Sequence, residues 1–212
     1  RDAEGPQATL RYVTDAYATS QPDAPFRIAP EPALEVDYAT LRRNCRAFAA
    51  LLAERGVEPG ATVSFMLENG ANAATVFLGA MYGGHVVSPI NLHAQDAQLE
   101  YTLAHSDTRI VFTAAGNRAR LASMRQASGS TFDVCVVESD GLALPEAASF
   151  RPALRGSADP AMLMYTAGTT GKQTGALLAH ANMLADDRAA ARSLATEPAH
   201  PVRPRAHLGP DT

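Results

Sequence analysis

Between residues 62 and 137, short apolar runs alternate with longer amphipathic stretches, and this alternation constrains the fold more than any other feature. Residues 62–67, 85–88, 109–113 and 132–137 have strand length and are rich in Val, Ile and Phe. The intervening segments have helical spacing. Residues 71–82 carry Val76, Phe77, Ala80 and Met81 on one side, residues 96–105 carry Leu99 and Leu103 four apart, and residues 117–127 form a third. Strands separated by helices of about ten to fifteen residues pair in parallel through right-handed crossovers. The predicted class is therefore α/β, a mostly parallel sheet flanked by helices. Such sheets bind ligands beyond the carboxyl ends of their strands.

A helix over residues 38–55 precedes this region. Tyr38, Leu41, Cys45, Phe48 and Leu52 recur at steps of three and four and predict one buried stripe, with Asp37 as N-cap. Arg42, Arg43 and Arg46 fall off the stripe and read as solvated charge. Gly56 supplies a left-handed position after the helix, and Pro59 follows where a helix cannot continue. Residues 1–36 read as a loop-rich, Pro-dotted segment with one short helix near residues 10–19, and with loop and short strand over 21–35. Residues 37–196 form the predicted α/β subdomain, with a long loop over 141–159. Residues 197–212 are Pro-rich, almost without apolar side chains, and expected to be loose.

Of the 212 residues, 46% are hydrophobic and 19% charged, enough to bury a sizeable core. The net charge of −4 argues against nonspecific nucleic-acid binding, which draws on Lys and Arg. Cys45 and Cys135 lack metal-ligand or CxxC spacing and read as buried thiols in a reducing compartment. No run reaches the roughly 18 apolar residues of a membrane span, and the start carries no signal-peptide pattern, so a cytoplasmic location is expected. The first residue is Arg1 rather than Met, so upstream residues are expected as well.

The chemistry is concentrated after the apolar run Ala161-Met-Leu-Met-Tyr165. There Thr166-Ala-Gly-Thr-Thr-Gly-Lys-Gln-Thr-Gly175 gathers glycines, threonines and one lysine, and Ala176-Leu-Leu-Ala179 resumes apolar character. Glycines let a backbone turn tightly and approach a ligand. Exposed N–H groups, hydroxyls and a mobile cation together make a cradle for phosphate oxygens. A polar hairpin turn that binds nothing has a similar composition. Two familiar phosphate loops fail on spacing. Lys172 is followed by Gln173 and residue 166 is Thr, which excludes both G-x-x-x-x-G-K-[ST] and G-x-G-x-x-G.

Tyr165-Thr-Ala-Gly-Thr-Thr-Gly-Lys-Gln-Thr-Gly-Ala176, followed by Leu177-Leu-Ala-His180, resembles the Y-T-S-G-T-T-G-x-P-K-G-V loop of the AMP-forming adenylating enzymes. These comprise acyl- and aryl-CoA synthetases, luciferases and peptide-synthetase adenylation domains. Asp37-Tyr-Ala-Thr-Leu41, Arg55-Gly-Val-Glu-Pro-Gly60 and the stretch from Gly79 to Asn91 resemble further family segments. The resemblance implies the first subdomain of the family's large N-terminal domain. It implies a parent acid–thiol ligase that joins a carboxylate to ATP, releases pyrophosphate, and passes the acyl group to CoA. It implies that Thr166, Ala167, Gly168, Thr169, Thr170, Gly171 and Lys172 wrap the β- and γ-phosphates, with the hydroxyl of Thr169 or Thr170 near Mg²⁺. No catalytic residue and no protein metal ligand is assigned.

Three departures stand out: Ala167 replaces serine, Gln173 replaces proline, and Thr174 replaces lysine, which leaves Lys172 as the loop's cation. His180 matches the family's histidine and reads as a helix-start residue bonded to neighbouring backbone. His85, His93 and His105 are assigned no role, and Asp186-Asp187-Arg188 reads as a solvated helix face. The family's acyl pocket, adenine and ribose motifs and catalytic lysine lie beyond the resemblance, so the chain alone is expected not to turn over. Fatty-acid or aromatic-acid metabolism is the expected setting. An adenylation module for an amino or hydroxy acid, or a non-catalytic module keeping the fold, remain alternatives.

Overall fold

The computed structural model describes residues 8–29, 34–138, 141–167 and 173–185. The predicted runs at 186–188 and 197–212 lie outside them. A six-stranded sheet has the order β6-β5-β3-β4-β7-β8, built from β3 (Thr62–Met66), β4 (Val86–Pro89), β5 (Thr108–Ala114), β6 (Asp133–Val137), β7 (Pro160–Ala167) and β8 (Gln173–Ala179). Every neighbouring pair is parallel except the β7–β8 hairpin. The mostly parallel α/β expectation holds. The alternation carried the prediction because each parallel strand is followed by enough chain to cross back over a face.

Pleating sorts the strand residues between two cores. Val63, Phe65, Ile110 and Phe112 face α2 (Tyr38–Glu54) and α3 (Ala71–Gly83), which contribute Phe48, Leu52, Val76 and Ala80. Met66 and Val111 face the other way, toward Leu99 and Leu103 of α4 (Asp96–His105) and Leu121 of α5 (Arg118–Ser128). A turn of 3₁₀ helix at Ala115–Asn117 delays α5 by one residue relative to the sequence reading. Asp37 caps α2, its Oδ1 accepting from the Thr40 N–H at 2.6 Å, and Gly56 has φ +67° where the helix turns away.

α2 buries more than one stripe. Ala47 and Ala50 are covered by Ala147, with Leu144 and Phe150 packed beside them, so part of the 141–159 connection lies across the helix. That cover changes the reading of Arg46. Its Nη1 donates to Ala148 O at 3.3 Å, its Nη2 to Tyr82 Oη at 3.5 Å, and its Nε is buried without a partner among the described residues. It is a strut between helix and connection rather than solvated charge.

The described residues from Ala8 to Ser20 also belong to the packed body. α1 (Leu10–Ser20) starts at Thr9, whose Oγ1 accepts from the Tyr12 N–H, and Arg11 Nη1 donates to Pro152 O and Ala153 O at 2.9 and 2.8 Å. Tyr82 Oη donates to Asp15 Oδ1 at 2.8 Å, tying α1 to α3. β1 (Pro25–Ala29) and β2 (Leu34–Asp37) form a separate antiparallel pair.

Candidate functional site

β3, β4, β5, β6 and β7 all run the same way, so their carboxyl ends, Met66, Pro89, Ala114, Val137 and Ala167, emerge along one edge of the sheet. The Gly/Thr-rich segment begins at that edge. In the β7–β8 ladder Tyr165 pairs with Gly175, Thr166 with Thr174, and Ala167 with Gln173. The hairpin therefore stays closed to the base of the 168–172 loop. Thr166 and Thr174, the latter standing where the family pattern has lysine, face each other across it and both are exposed. Gly168, Thr169, Thr170, Gly171 and Lys172 lie outside the described residues, so Thr166 and Ala167 are the predicted site positions with a described backbone.

Two crevices open beside the same strand ends. One, of about 700 Å³, lies between residues 66–72 and 114–117, with Glu138 at its rim. The other, of about 670 Å³, is more apolar and is lined by Phe65, Phe77, Pro89 and Ile90. Neither includes Thr166 or Ala167.

The root of the loop is tied to α4 by an aromatic cluster that the sequence reading did not find. Tyr165 Oη lies 2.8 Å from His105 Nδ1, and the hydroxyl donates when the imidazole carries its proton on Nε2. Tyr101 stacks on His105 with centroids 5.3 Å apart and meets Tyr165 edge-on at 6.4 Å. Burial pushes the Tyr165 phenol above its ordinary value, with Tyr101 adding to the rise and a hydrogen bond to Ser106 opposing it, so the group is a hydroxyl at neutral pH. The available signal was the i, i+4 spacing of Tyr101 and His105 on one helix. Nothing local connects that pair to Tyr165, 60 positions away.

Two further histidines are buried at the opposite edge. His180 starts a helical stretch, residues 180–185, and is 1% exposed. Its Nδ1 accepts from the Leu10 N–H at 3.4 Å, so its partner is backbone 170 positions away rather than neighbouring backbone. Its Nε2 has no partner among the described residues. Burial pushes its pKa down; the Asp159 carboxylate opposes this and the Arg155 and Arg11 guanidiniums add to it. His85 is 3% exposed and pushed down to about 4, chiefly by burial and then by Arg155, against a hydrogen bond with the Glu58 backbone. Both are neutral at pH 7 and lie at the amino ends of the parallel strands. Among the described residues no group of three or more His, Cys, Asp or Glu could hold a metal ion.

The AMP-binding enzyme family model matches residues 14–205. A sulfoacetate–CoA ligase of Cupriavidus necator H16 is 37% identical over 200 residues, which cover 92% of this chain and 39% of the relative. The inhibitor-bound N-terminal domain of FACL13 from Mycobacterium tuberculosis superposes with a TM-score of 0.70 at 26% identity, over 81% of this chain and 44% of that one. ATP-bound MatB from Rhodopseudomonas palustris shares the fold, with a TM-score of 0.75 at 24% identity over 86% of this chain and 37% of that one. The chain thus spans 37–44% of the length of these chains. With the family model matching nearly from end to end, the chain belongs to the AMP-binding enzymes, the adenylate-forming ligases.

Proposed function

We propose that this chain is the polyphosphate-gripping part of an ATP-dependent, AMP-forming acid–CoA ligase. The observation that carries the reading is the family's signature loop, residues 168–172, joining β7 to β8 at the edge where the parallel strands end. In the first half-reaction an acid's carboxylate attacks the α-phosphorus of ATP and pyrophosphate departs. The loop needs no base or nucleophile for this. Its N–H groups, its hydroxyls and the Lys172 ammonium stabilise charge building on the leaving pyrophosphate. Mg²⁺ belongs to the family's reaction, and the hydroxyl of Thr169 or Thr170 is a hard oxygen donor that would suit a Mg²⁺ carried by phosphates. CoA enters in the second half-reaction, when its thiolate displaces AMP.

Sulfoacetate, named in the 37%-identical relative, is the first acid to test. No helix among the described residues is long and apolar enough to cross a membrane. The direct test is calorimetric titration of the chain with Mg·ATP and with inorganic pyrophosphate, for wild type and Lys172→Ala. Loss of one charge-assisted phosphate contact weakens pyrophosphate binding by about tenfold or more. Equal binding by the two proteins, or none by wild type, refutes the assignment. Acid-dependent exchange of labelled pyrophosphate into ATP by the complete gene product then identifies the acid.

A further inference from the structure

We propose that His105 is a positioning residue for the phosphate loop, acting through the Tyr165 hydroxyl; this rests on the function proposed above. The hairpin that carries the loop is supported unevenly. Along β4, β7 pairs through Val87 and Met162, close to where β7 begins. β4 ends at Pro89, which has no N–H to give to a neighbour. From Leu163 to Ala167 the ladder runs to β8 alone, and β8 is the outermost strand. The loop thus sits at the tip of a two-stranded ribbon, and such ribbons are marginal without packing on a face.

The face is supplied by Tyr165. Its ring lies across the partner strand at Gly175, where an added Cβ would stand 3.2 Å from Tyr165 Cε1 and 3.3 Å from Leu163 Cδ1. Its hydroxyl reaches His105 Nδ1 at 2.8 Å, and Tyr101 holds the imidazole by stacking. Behind them α4 is fixed by Leu99 and Leu103, 0% and 4% exposed. One phenol therefore links both strands of the ribbon to a rigid helix one residue before the loop's first threonine. Tyr101 is 44% exposed and His105 is exposed, so the cluster adds little to global stability. What it sets is the angle at which the ribbon leaves the sheet, and with it the point from which the 168–172 connection starts.

The test uses the 212-residue chain with inorganic pyrophosphate and Mg·ATP as probes, comparing wild type with His105→Ala, His105→Gln, Tyr165→Phe and the His105→Ala/Tyr165→Phe pair. The expected result is about three- to tenfold weaker pyrophosphate binding in His105→Ala and Tyr165→Phe, the equivalent of one hydrogen bond. The pair should be no weaker than the worse single variant, and His105→Gln, which can still bond the phenol, should recover most of the loss. Amide hydrogen exchange over 168–172 should quicken in His105→Ala while core protection and melting temperature hold. Additive losses, a loss that tracks melting temperature, or unchanged affinity and exchange would each overturn the proposal while leaving the functional reading intact. Failure of wild type to bind pyrophosphate defeats both.

Discussion

Gly79 sits in the middle of α3, a position where helix propensity alone favours alanine by about 1 kcal/mol. The packing predicts the opposite. A Cβ at Gly79 would stand 2.7, 2.8 and 2.9 Å from Cδ1, Cβ and Cγ of Phe48, each inside the closest approach of carbon atoms. Phe48 cannot swing aside. One of those atoms, Cβ, is bonded to its own backbone and does not move with χ1, its side chain is 0% exposed, and its ring is tilted against Phe112 with centroids 5.0 Å apart. Relief must come from moving α2 away from α3, which opens the larger core. Overpacking of this kind typically costs 1–3 kcal/mol, and three short contacts to a fixed partner put Gly79→Ala near about 3. After the propensity gain, the net loss is about 2 kcal/mol, or roughly 4–8 °C in melting temperature for a chain of this size. Urea denaturation of Gly79→Ala and Gly116→Ala separates the terms. Gly116 has nothing within 4 Å of an added Cβ, so its variant should stay within about 0.5 kcal/mol of wild type. A Gly79→Ala protein as stable as wild type would show that α2 and α3 are not in the contact described, and the argument from close approach would fail.

Two further outcomes follow from the buried titratable groups. His85 is held neutral, with its pKa lowered from 6.5 to about 4, so the unfolded chain takes up a proton that the native chain refuses. Stability is full above the unfolded value, falls as pH drops from about 6.5 toward 4, and levels off below; the linked loss is about 3 kcal/mol. His180, also shifted down, contributes in the same direction. Urea midpoints across that range should drop steeply for wild type and less for His85→Gln, and parallel curves would refute the role of His85. Cys45, 1% exposed and pushed up to about 12 by burial, and Cys135, 6% exposed and also raised by burial, should resist a thiol reagent in buffer and react within seconds in denaturant. Rapid labelling of the native chain would contradict the burial described.

The parts of the fold that were legible share one property: each is decided within a window of about ten residues. The apolar spacing of α2, the capping of that helix by Asp37, and the strand–helix alternation are local, and the structure reproduces them within a residue or two. The family signature after Tyr165 was legible for the same reason, because it is a run of consecutive residues. What periodicity could not show is closure. The 141–159 connection has no apolar period, yet Ala147 is buried against α2, and that contact turns Arg46 from solvent toward Ala148 and Tyr82. His105 and His180 looked unremarkable because their meaning lies in partners 60 and 170 positions away.

These long-range ties show how the sheet divides its labour. At the amino ends of the strands, Arg11 ties α1 to residues 152–153, His180 accepts from the Leu10 N–H, and Arg155 donates to Gly84 O just ahead of β4, among groups at least partly removed from water. A hydrogen bond lost there leaves a buried partner unsatisfied, so that edge is the costly one to disturb. At the carboxyl ends Glu68, Asn69, Ala115 and Gly116 are exposed, and the tie nearest the signature, Tyr165 to His105, is partly in water and cheap to break. The function proposed above asks for such an edge, since a loop sealed as tightly as His180 could not exchange a polyphosphate for pyrophosphate. The same sheet meets both demands by placing its rigid closure at one end of the strands and its yielding one at the other.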